Sequence, residues 1–317
     1  MKISIIGPGV MPIPPSGWGA VEILIWDYSQ ELIKQGHDVQ IVNTKNTQEI
    51  VDSVNEFNPD FVHLQYDEHY HVMDQIKCKN KAATSHYGYL EVPHHLSGGY
   101  NHIFRGFVNG NFDIFCLSDN IKKVYMDAGS PESRLYVTPN GARSDLFSYM
   151  EYPEFPDLSI YLAKITDRKK QYLYQDIDFI HFAGNLDDSR FNQNRKNYIG
   201  EWTKDHLYSN LSKYSNLVLL SDGEAHPLVC CEALISGLGL VISEYAAGNL
   251  DSSLPFIEII PNEKLNDISY VSQKIKENQS ISNSMRTEIR RYGLDNFDWS
   301  KLVKRYTQIV EECIKKG

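Results

Sequence analysis

Two glutamates, Glu224 and Glu232, stand eight residues apart in the stretch SDGEAHPLVCCEALISGLGL, on either side of an apolar run that opens with Pro227. Paired carboxylates can share acid/base work, or they can bind hydroxyls separately. Proline suits the first position of a helix, where its missing N–H costs nothing, so Pro227 reads as a helix start and Leu217–Leu220 as the strand before it. Glu224 then lies in a loop, Glu232 about a turn and a half into the helix, and the N–H groups of Leu228 and Val229 point out of its N-terminus. The two carboxylates would flank an anion site. Taken alone, the pair fits better a loop glutamate favoured by the helix dipole and a helix glutamate on a wet face.

Other residue groups could supply the rest of a site. YLAKITDRKKQ carries Lys164, Arg168, Lys169 and Lys170 directly after a strand, in a chain whose formal net charge is −10. Positive charge in a helix's first turn opposes the dipole, and an anionic ligand such as a diphosphate would account for it; the same cations would stabilise it as a leaving group. KAATSHYGYL places His86 just past a strand end, where ligands of open α/β sheets collect, although a lone loop histidine is more commonly plain surface. His63, His69, His71, His94 and His95 form no HExxH-like spacing, so no metal site is expected. The loop GPGVMPIPPSGWGAVE leads from the first strand to a helix near Ala20, and Gly17 and Gly19 on either side of Trp18 suggest a backbone that approaches something closely. Its spacing is neither GxGxxG nor a Walker A loop.

These residues need a scaffold. At 317 residues the chain predicts two domains. Strands are expected at Lys2–Gly7, Asp38–Asn43, Asp60–Leu64, Ala82–Ser85, Phe112–Leu117 and Leu135–Thr138, alternating with helices as in a parallel sheet with crossovers. The first helix carries apolar Val21, Ile25, Tyr28, Leu32 and Ile33 and ends at Gly36. The aromatic, Pro-containing FSYMEYPEFPDL marks a boundary, giving domains 1–150 and 151–296. The second domain offers strands at Ser159–Ala163, Phe179–Ala183, Asn197–Ile199, Leu217–Leu220, Leu240–Ser243 and Phe256–Ile260, with helices at Asp205–Lys213 and Pro227–Ser236. The tail from Asn266 reads as helices broken at Tyr292-Gly293, the last with a stripe of Leu302, Tyr306, Ile309 and Val310.

Composition narrows the class. The five cysteines follow no metal or redox spacing, which fits a reducing compartment, and no run approaches the length of a membrane span, so a cytoplasmic protein is expected. The acidic balance argues against nonspecific nucleic-acid binding but leaves room for peripheral attachment at the inner membrane face through a local patch.

In order along the chain, GWGAVE, the TSH of Thr84–His86, VTPNGA, a basic residue followed five later by Lys169, and EAHPLVCCEAL resemble the retaining GT-B glycosyltransferases of glycosyltransferase family four. The resemblance implies two Rossmann-like domains facing a central cleft, the N-terminal one on the acceptor side and the C-terminal one binding a nucleotide-sugar, with the last helix, about 297–317, packing back on the first domain. It implies Glu224 at the donor sugar's hydroxyls, Glu232 at the ribose, and the backbone of His226, Pro227, Leu228 and Val229 beside sugar and diphosphate. Lys164 and Lys169 would hold the diphosphate, Gly17 and Gly19 would bring the N-terminal loop to it, and Asn140 of VTPNGA would join the donor site. His86 would lie next to the transferred sugar, and Gly184 and Gly200 near the base. The implied partners are a nucleotide-diphospho-sugar donor and a glycan, lipid-linked or small-molecule acceptor, with no cofactor and no metal. An inactive nucleotide-sugar-binding homologue stays open. So does an NAD-dependent oxidoreductase, which the Asn43 and Thr44 found where an acidic residue would end the second strand disfavour.

Overall fold

The computed structural model describes residues 1–15, 19–92, 96 and 99–316, so Gly17, Trp18, His94 and His95 lie outside the described residues. The chain divides into two compact units, Met1–Asn140 with Trp299–Gly317, and Gly141–Asp298.

Unit 1 is built on a six-stranded parallel sheet in the order β2-β1-β3-β4-β5-β6. Its strands are β1 (Lys2–Ile6), β2 (Asp38–Val42), β3 (Phe61–Leu64), β4 (Lys81–Ala83), β5 (Asp113–Cys116) and β6 (Leu135–Val137). Helices α1 (Ala20–Lys34), α2 (Thr47–Phe57), α3 (Asn101–Asn109) and α4 (Asp119–Asp127) make crossovers. The short apolar runs form central strands because a sheet covered by helices buries both faces; Ile3, Ile5, Phe61 and Val62 are fully buried. In α1, Ile25, Tyr28 and Leu32 are buried, whereas Ile33, which the spacing put on the same stripe, is 51% exposed. The last helix of the chain, Trp299–Lys316, also belongs to this unit, and Trp299 and Tyr306 pack their rings 4.5 and 5.0 Å from Tyr28 of α1.

Unit 2 has a five-stranded parallel sheet ordered β11-β10-β9-β7-β8. The strands are β7 (Phe155–Leu162), β8 (Ile180–Ala183), β9 (Tyr214–Leu219), β10 (Gly239–Ser243) and β11 (Ile257–Ile260). Besides the one-turn helix Gln171–Tyr174, its helices are α5 (Lys204–Asn210), α6 (Leu228–Ile235), α7 (Ile268–Ser284) and α8 (Arg286–Asn296), and the terminal helix of unit 1 is therefore α9. Arg286 is a buried staple: its guanidinium donates to the carbonyls of Ser212 (2.6 Å), Tyr214 (2.7 Å) and Met150 (3.1 Å).

Four sequence expectations change. The division falls at Asn140/Gly141, ten residues before the expected boundary, because the intervening segment is bonded into unit 2. Ala142 N–H donates to Phe297 O (2.8 Å), Ser148 N–H to Tyr208 O (2.9 Å) and Met150 N–H to Ser212 Oγ (2.8 Å). Residues 197–199 form no strand; Tyr198 makes one isolated bridge to Phe182 before Gly200, at φ +81°, turns the chain away. The tail helix does not break at Tyr292-Gly293, since α8 runs through both. A Cβ at Gly293 would lie 2.6 Å from the carbonyl carbon of Leu234, so this glycine serves close helix packing and not a turn. Finally, Pro227 caps α6 in an extended conformation (φ −71°, ψ 120°), one residue before the helix begins.

Candidate functional site

In an open parallel sheet, ligands bind beyond the carboxyl ends of the strands where the strand order reverses. In unit 2 that point lies between β7, which connects to β8 on one side, and β9, which pairs with β7 on the other. The loop after β7 carries Lys164, Arg168 and Lys169, and the loop after β9 carries Asp222, Glu224 and His226. Residues 55 positions apart thus meet at the switch point.

The two loops are tied together through main chain. Asp222 N–H donates to Arg168 O (3.0 Å), and the Arg168 Nη1 donates to Gly223 O (2.5 Å). Beneath them Tyr161 of β7 accepts from Leu220 N–H (2.8 Å) and donates to Lys169 O (2.5 Å). Lys170 follows in a left-handed conformation, φ 56° and ψ 17°, which a non-glycine residue adopts only when its surroundings fix it.

Glu224 is buried and bonded to the Lys169 ammonium, with the Arg168 guanidinium 3.3 Å from its other oxygen. Burial pushes the Glu224 carboxyl up, but the adjacent Lys169 and Arg168 outweigh it and hold its pKa below the usual range; it stays ionised. Burial lowers the Lys169 amine, and Glu224 opposes that shift. Eight residues on, Glu232 is buried in α6 and paired with Lys204 at 3.0 Å. His226, Pro227, Leu228 and Val229 lead into and form the first turn of that helix, where N–H groups lack intrahelical acceptors. His226 is buried, and burial lowers its pKa to about 4, so the ring is neutral.

The remaining candidates divide. Lys164 stands at the end of β7 and pairs with Asp187 at 2.8 Å. Gly184 ends β8 at φ +153°, where a Cβ would lie 1.9 Å from Ala163 O, and its N–H donates to the carbonyl of Gly200 at 2.9 Å. This bond brings the two glycines together at the end of β8. Three candidates lie in unit 1. Gly19 is the N-cap of α1 at φ +127°, a backbone only glycine takes readily. Asn140 is buried where unit 1 ends. His86 follows β4, half-buried, with Nε2 2.9 Å from Gln65 Oε1, and burial lowers its pKa to about 4.

One inference from the sequence is refined. The basic run does lead into a helix: the Asp167–Lys169 turn is followed by the one-turn α-helix Gln171–Tyr174, with Lys170 at its N-cap. Its cations nevertheless need no external anion to be satisfied. Lys170 pairs with Asp222 (3.0 Å) and Asp167 (3.3 Å), Lys164 with Asp187, and Arg168 and Lys169 with Glu224; nearby, Arg190 pairs with Asp188 (2.7 Å) and Asp167. Sequence reading also missed Lys204 and Asp222 as site residues, because their partners stand far away in the chain or on a neighbouring loop. Asn43, at the end of β2, accepts from Gly9 N–H (2.8 Å) and donates to Met11 O (2.8 Å), so it anchors the loop after β1 instead of offering an acceptor to a ribose.

No family model and no curated protein matches the chain. Solved structures do. Anabaena Alr3699/HepE in complex with UDP and glucose is 14% identical and superposes with a TM-score of 0.72, covering 98% of this chain and 100% of that one. Sucrose-phosphate synthase from Thermosynechococcus elongatus is 13% identical, with full coverage of both chains and a TM-score of 0.77. The lipopolysaccharide outer core galactosyltransferase WaaB in its apo form is 14% identical, with 98% and 99% coverage and a TM-score of 0.67. These are GT-B glycosyltransferases, and the fold of this chain, two parallel-sheet α/β domains of six and five strands, is the GT-B fold.

Proposed function

We propose that the chain is a retaining glycosyltransferase that moves a sugar from a nucleotide-diphospho-sugar to a hydroxyl of a glycan, lipid-linked or small-molecule acceptor. The observation that carries this reading is the meeting of Glu224, Lys169 and Arg168 at the β7/β9 switch point, with the α6 N-terminus and Glu232 on the same loop–helix segment. The resemblance of the ordered motifs to family four supports retention. The fold neighbours support a nucleotide-sugar, since HepE was crystallised with UDP-glucose and with UDP and glucose.

In this reading unit 2 holds the donor. The bond from the anomeric carbon to the diphosphate breaks, the acceptor oxygen bonds to the same face of that carbon, and the acceptor's proton passes to the departing diphosphate. Lys169 and Arg168 stabilise the charge that develops there, with Lys164 beside them, so the step needs neither a metal nor a protein base. Glu224, ionised, accepts hydrogen bonds from sugar hydroxyls, and Glu232 from the ribose. The carboxylates are binding and positioning groups, unlike the acid/base pair of a glycosidase. Unit 1 takes the acceptor.

A panel of UDP-, GDP-, ADP- and dTDP-sugars, read for binding by thermal shift and for transfer by product analysis, tests the proposal. One donor should bind and yield a product of unchanged anomeric configuration; binding of none of them sinks it. Glu232→Ala should weaken nucleotide binding by roughly 10- to 100-fold, the loss of hydrogen bonds to a charged group, while Glu224→Ala should chiefly slow transfer. The complete internal pairing of the site's cations favours one second reading, a nucleotide-sugar-binding protein without turnover, for which the panel would show binding and no product.

A further inference from the structure

Unit 1 contains a line of buried side chains that the proposed chemistry does not use. Gln65 Nε2 lies 3.2 Å from His63 Nδ1, and the Tyr306 hydroxyl approaches the same nitrogen at 3.1 Å. His63 Nε2 lies 2.8 Å from Thr84 Oγ1, and Gln65 Oε1 lies 2.9 Å from His86 Nε2. His63, Gln65, Thr84 and Tyr306 are all buried, so water does not compete for these bonds. The four residues come from β3, the loops after β3 and β4, and the terminal helix α9.

A carboxamide has one donor end and one acceptor end, and a neutral imidazole has one N–H and one lone pair. The amide N–H of Gln65 donates to His63 Nδ1, so that nitrogen carries no proton and His63 Nε2–H donates to Thr84. The amide oxygen accepts from His86, so the His86 proton is on Nε2. Reversing the amide would reverse both rings together. Gln65 therefore allows both histidines to carry the proton on Nε2, or both on Nδ1, but never one of each. Burial keeps both rings neutral at neutral pH, with His63 lowered to about 3 and His86 to about 4.

We propose that Gln65 is a positioning residue that fixes His86 as the Nε2–H tautomer and leaves Nδ1, on the ring edge away from Gln65, as a lone-pair acceptor at the carboxyl end of β4. The group received at His86 is then a hydrogen-bond donor, a hydroxyl or N–H, and not a phosphate or carboxylate oxygen, whose lone pairs would meet that of the ring. Identifying this donor as a sugar hydroxyl rests on the glycosyl-transfer reading; the tautomer itself does not.

The test is long-range proton–nitrogen spectroscopy of the full chain labelled at its histidines. In the wild type at neutral pH both His63 and His86 should show a protonated Nε2 and a bare Nδ1; a proton on Nδ1 of either ring overturns the proposal. In Gln65→Met, which keeps the length and loses both hydrogen bonds, His86 should relax to a mixture of tautomers while His63 stays with Thr84; an unchanged single His86 tautomer overturns it. Gln65→Glu serves if the methionine variant does not fold, read at a pH where its side-chain carbon signal shows an ionised carboxylate. An acceptor at both ends should hold His86 as Nε2–H and switch His63 to Nδ1–H, and an unswitched His63 overturns the coupling. None of these spectra needs a substrate, so their failure leaves the glycosyl-transfer reading standing, and a protein that binds no nucleotide-sugar leaves them interpretable.

Discussion

Replacing Lys169 and Glu224 separately and together measures the interaction at the centre of the candidate site. Both side chains are nearly enclosed, 12% and 7% exposed, so the charge left behind by a single replacement cannot be rescued by bulk water. Removing one partner of such a pair costs about 3–5 kcal/mol. The structure makes the two halves unequal. Lys169→Met leaves Glu224 with the Arg168 guanidinium 3.3 Å away, so the loss should fall below that range, at about 2 kcal/mol. Glu224→Gln strips both cations of their anion and leaves like charges facing each other, which puts its cost at about 3 kcal/mol or more, limited by the ease with which the buried Lys169 amine gives up its proton. The double variant removes the buried pair as a unit and should recover to within about 1 kcal/mol of the wild type. Urea unfolding of the ligand-free chain at neutral pH and low salt gives the three differences, and the coupling should be at least about 2 kcal/mol. Additive effects, with a coupling under about 0.5 kcal/mol, would refute the reasoning.

Two further outcomes follow from packing and burial. Gly293→Ala gains about 1 kcal/mol of helix propensity, but the new Cβ meets main chain at Leu234 and Ile235, at 2.6–2.7 Å, where no side chain can swing aside. A net loss of roughly 2 kcal/mol is expected in unfolding experiments, and a stabilised variant would show that α8 and α6 can separate at no cost. His63 and His226 are buried with pKa values lowered to about 3 and about 4, so the folded chain binds fewer protons than the unfolded one once the pH drops below the ordinary histidine value of 6.5. Their contribution is complete above that value and is lost as pH falls toward about 4, at up to about 1.4 kcal/mol per pH unit for each ring. Urea midpoints should fall steadily from about pH 7 to about pH 5, and flat midpoints would mean that the rings charge freely in the folded state.

How much of this was legible in the sequence depended on how local each signal was. Central strands such as Phe61–Leu64 and the Leu217–Leu219 part of Tyr214–Leu219 are buried on both faces and so announce themselves as apolar runs, whereas Ser215 and Asn216 concealed where the latter begins. The loop–helix placement of Glu224 and Glu232 followed from Pro227 alone. Gly293 misled because a glycine that breaks a helix and one that admits a neighbouring backbone look alike until α6 is in place. Lys204 lies 28 residues before its partner Glu232, and no periodicity links them. The charges after β7 and Glu224 were each visible, but their pairing was not, since Asp222 and Glu224 arrive from the far side of β8 and α5. Gln65 gave no signal at all, because a polar residue at a strand end acquires a meaning only when β3 and β4 bring two histidines to its two ends.

Among the described residues, the hydroxyl of Tyr161 bonds to main-chain groups of the two loops, Leu220 N–H and Lys169 O. Part of the path of both loops is thereby written in the interior of unit 2, beside the Arg168–Gly223 and Lys170–Asp222 ties that also join them. A side chain that pairs outside these ties, as Lys164 does with Asp187, can then be exchanged as a fitting on a fixed rail, so ligand preference is open to redesign there, provided the phenol beneath is kept.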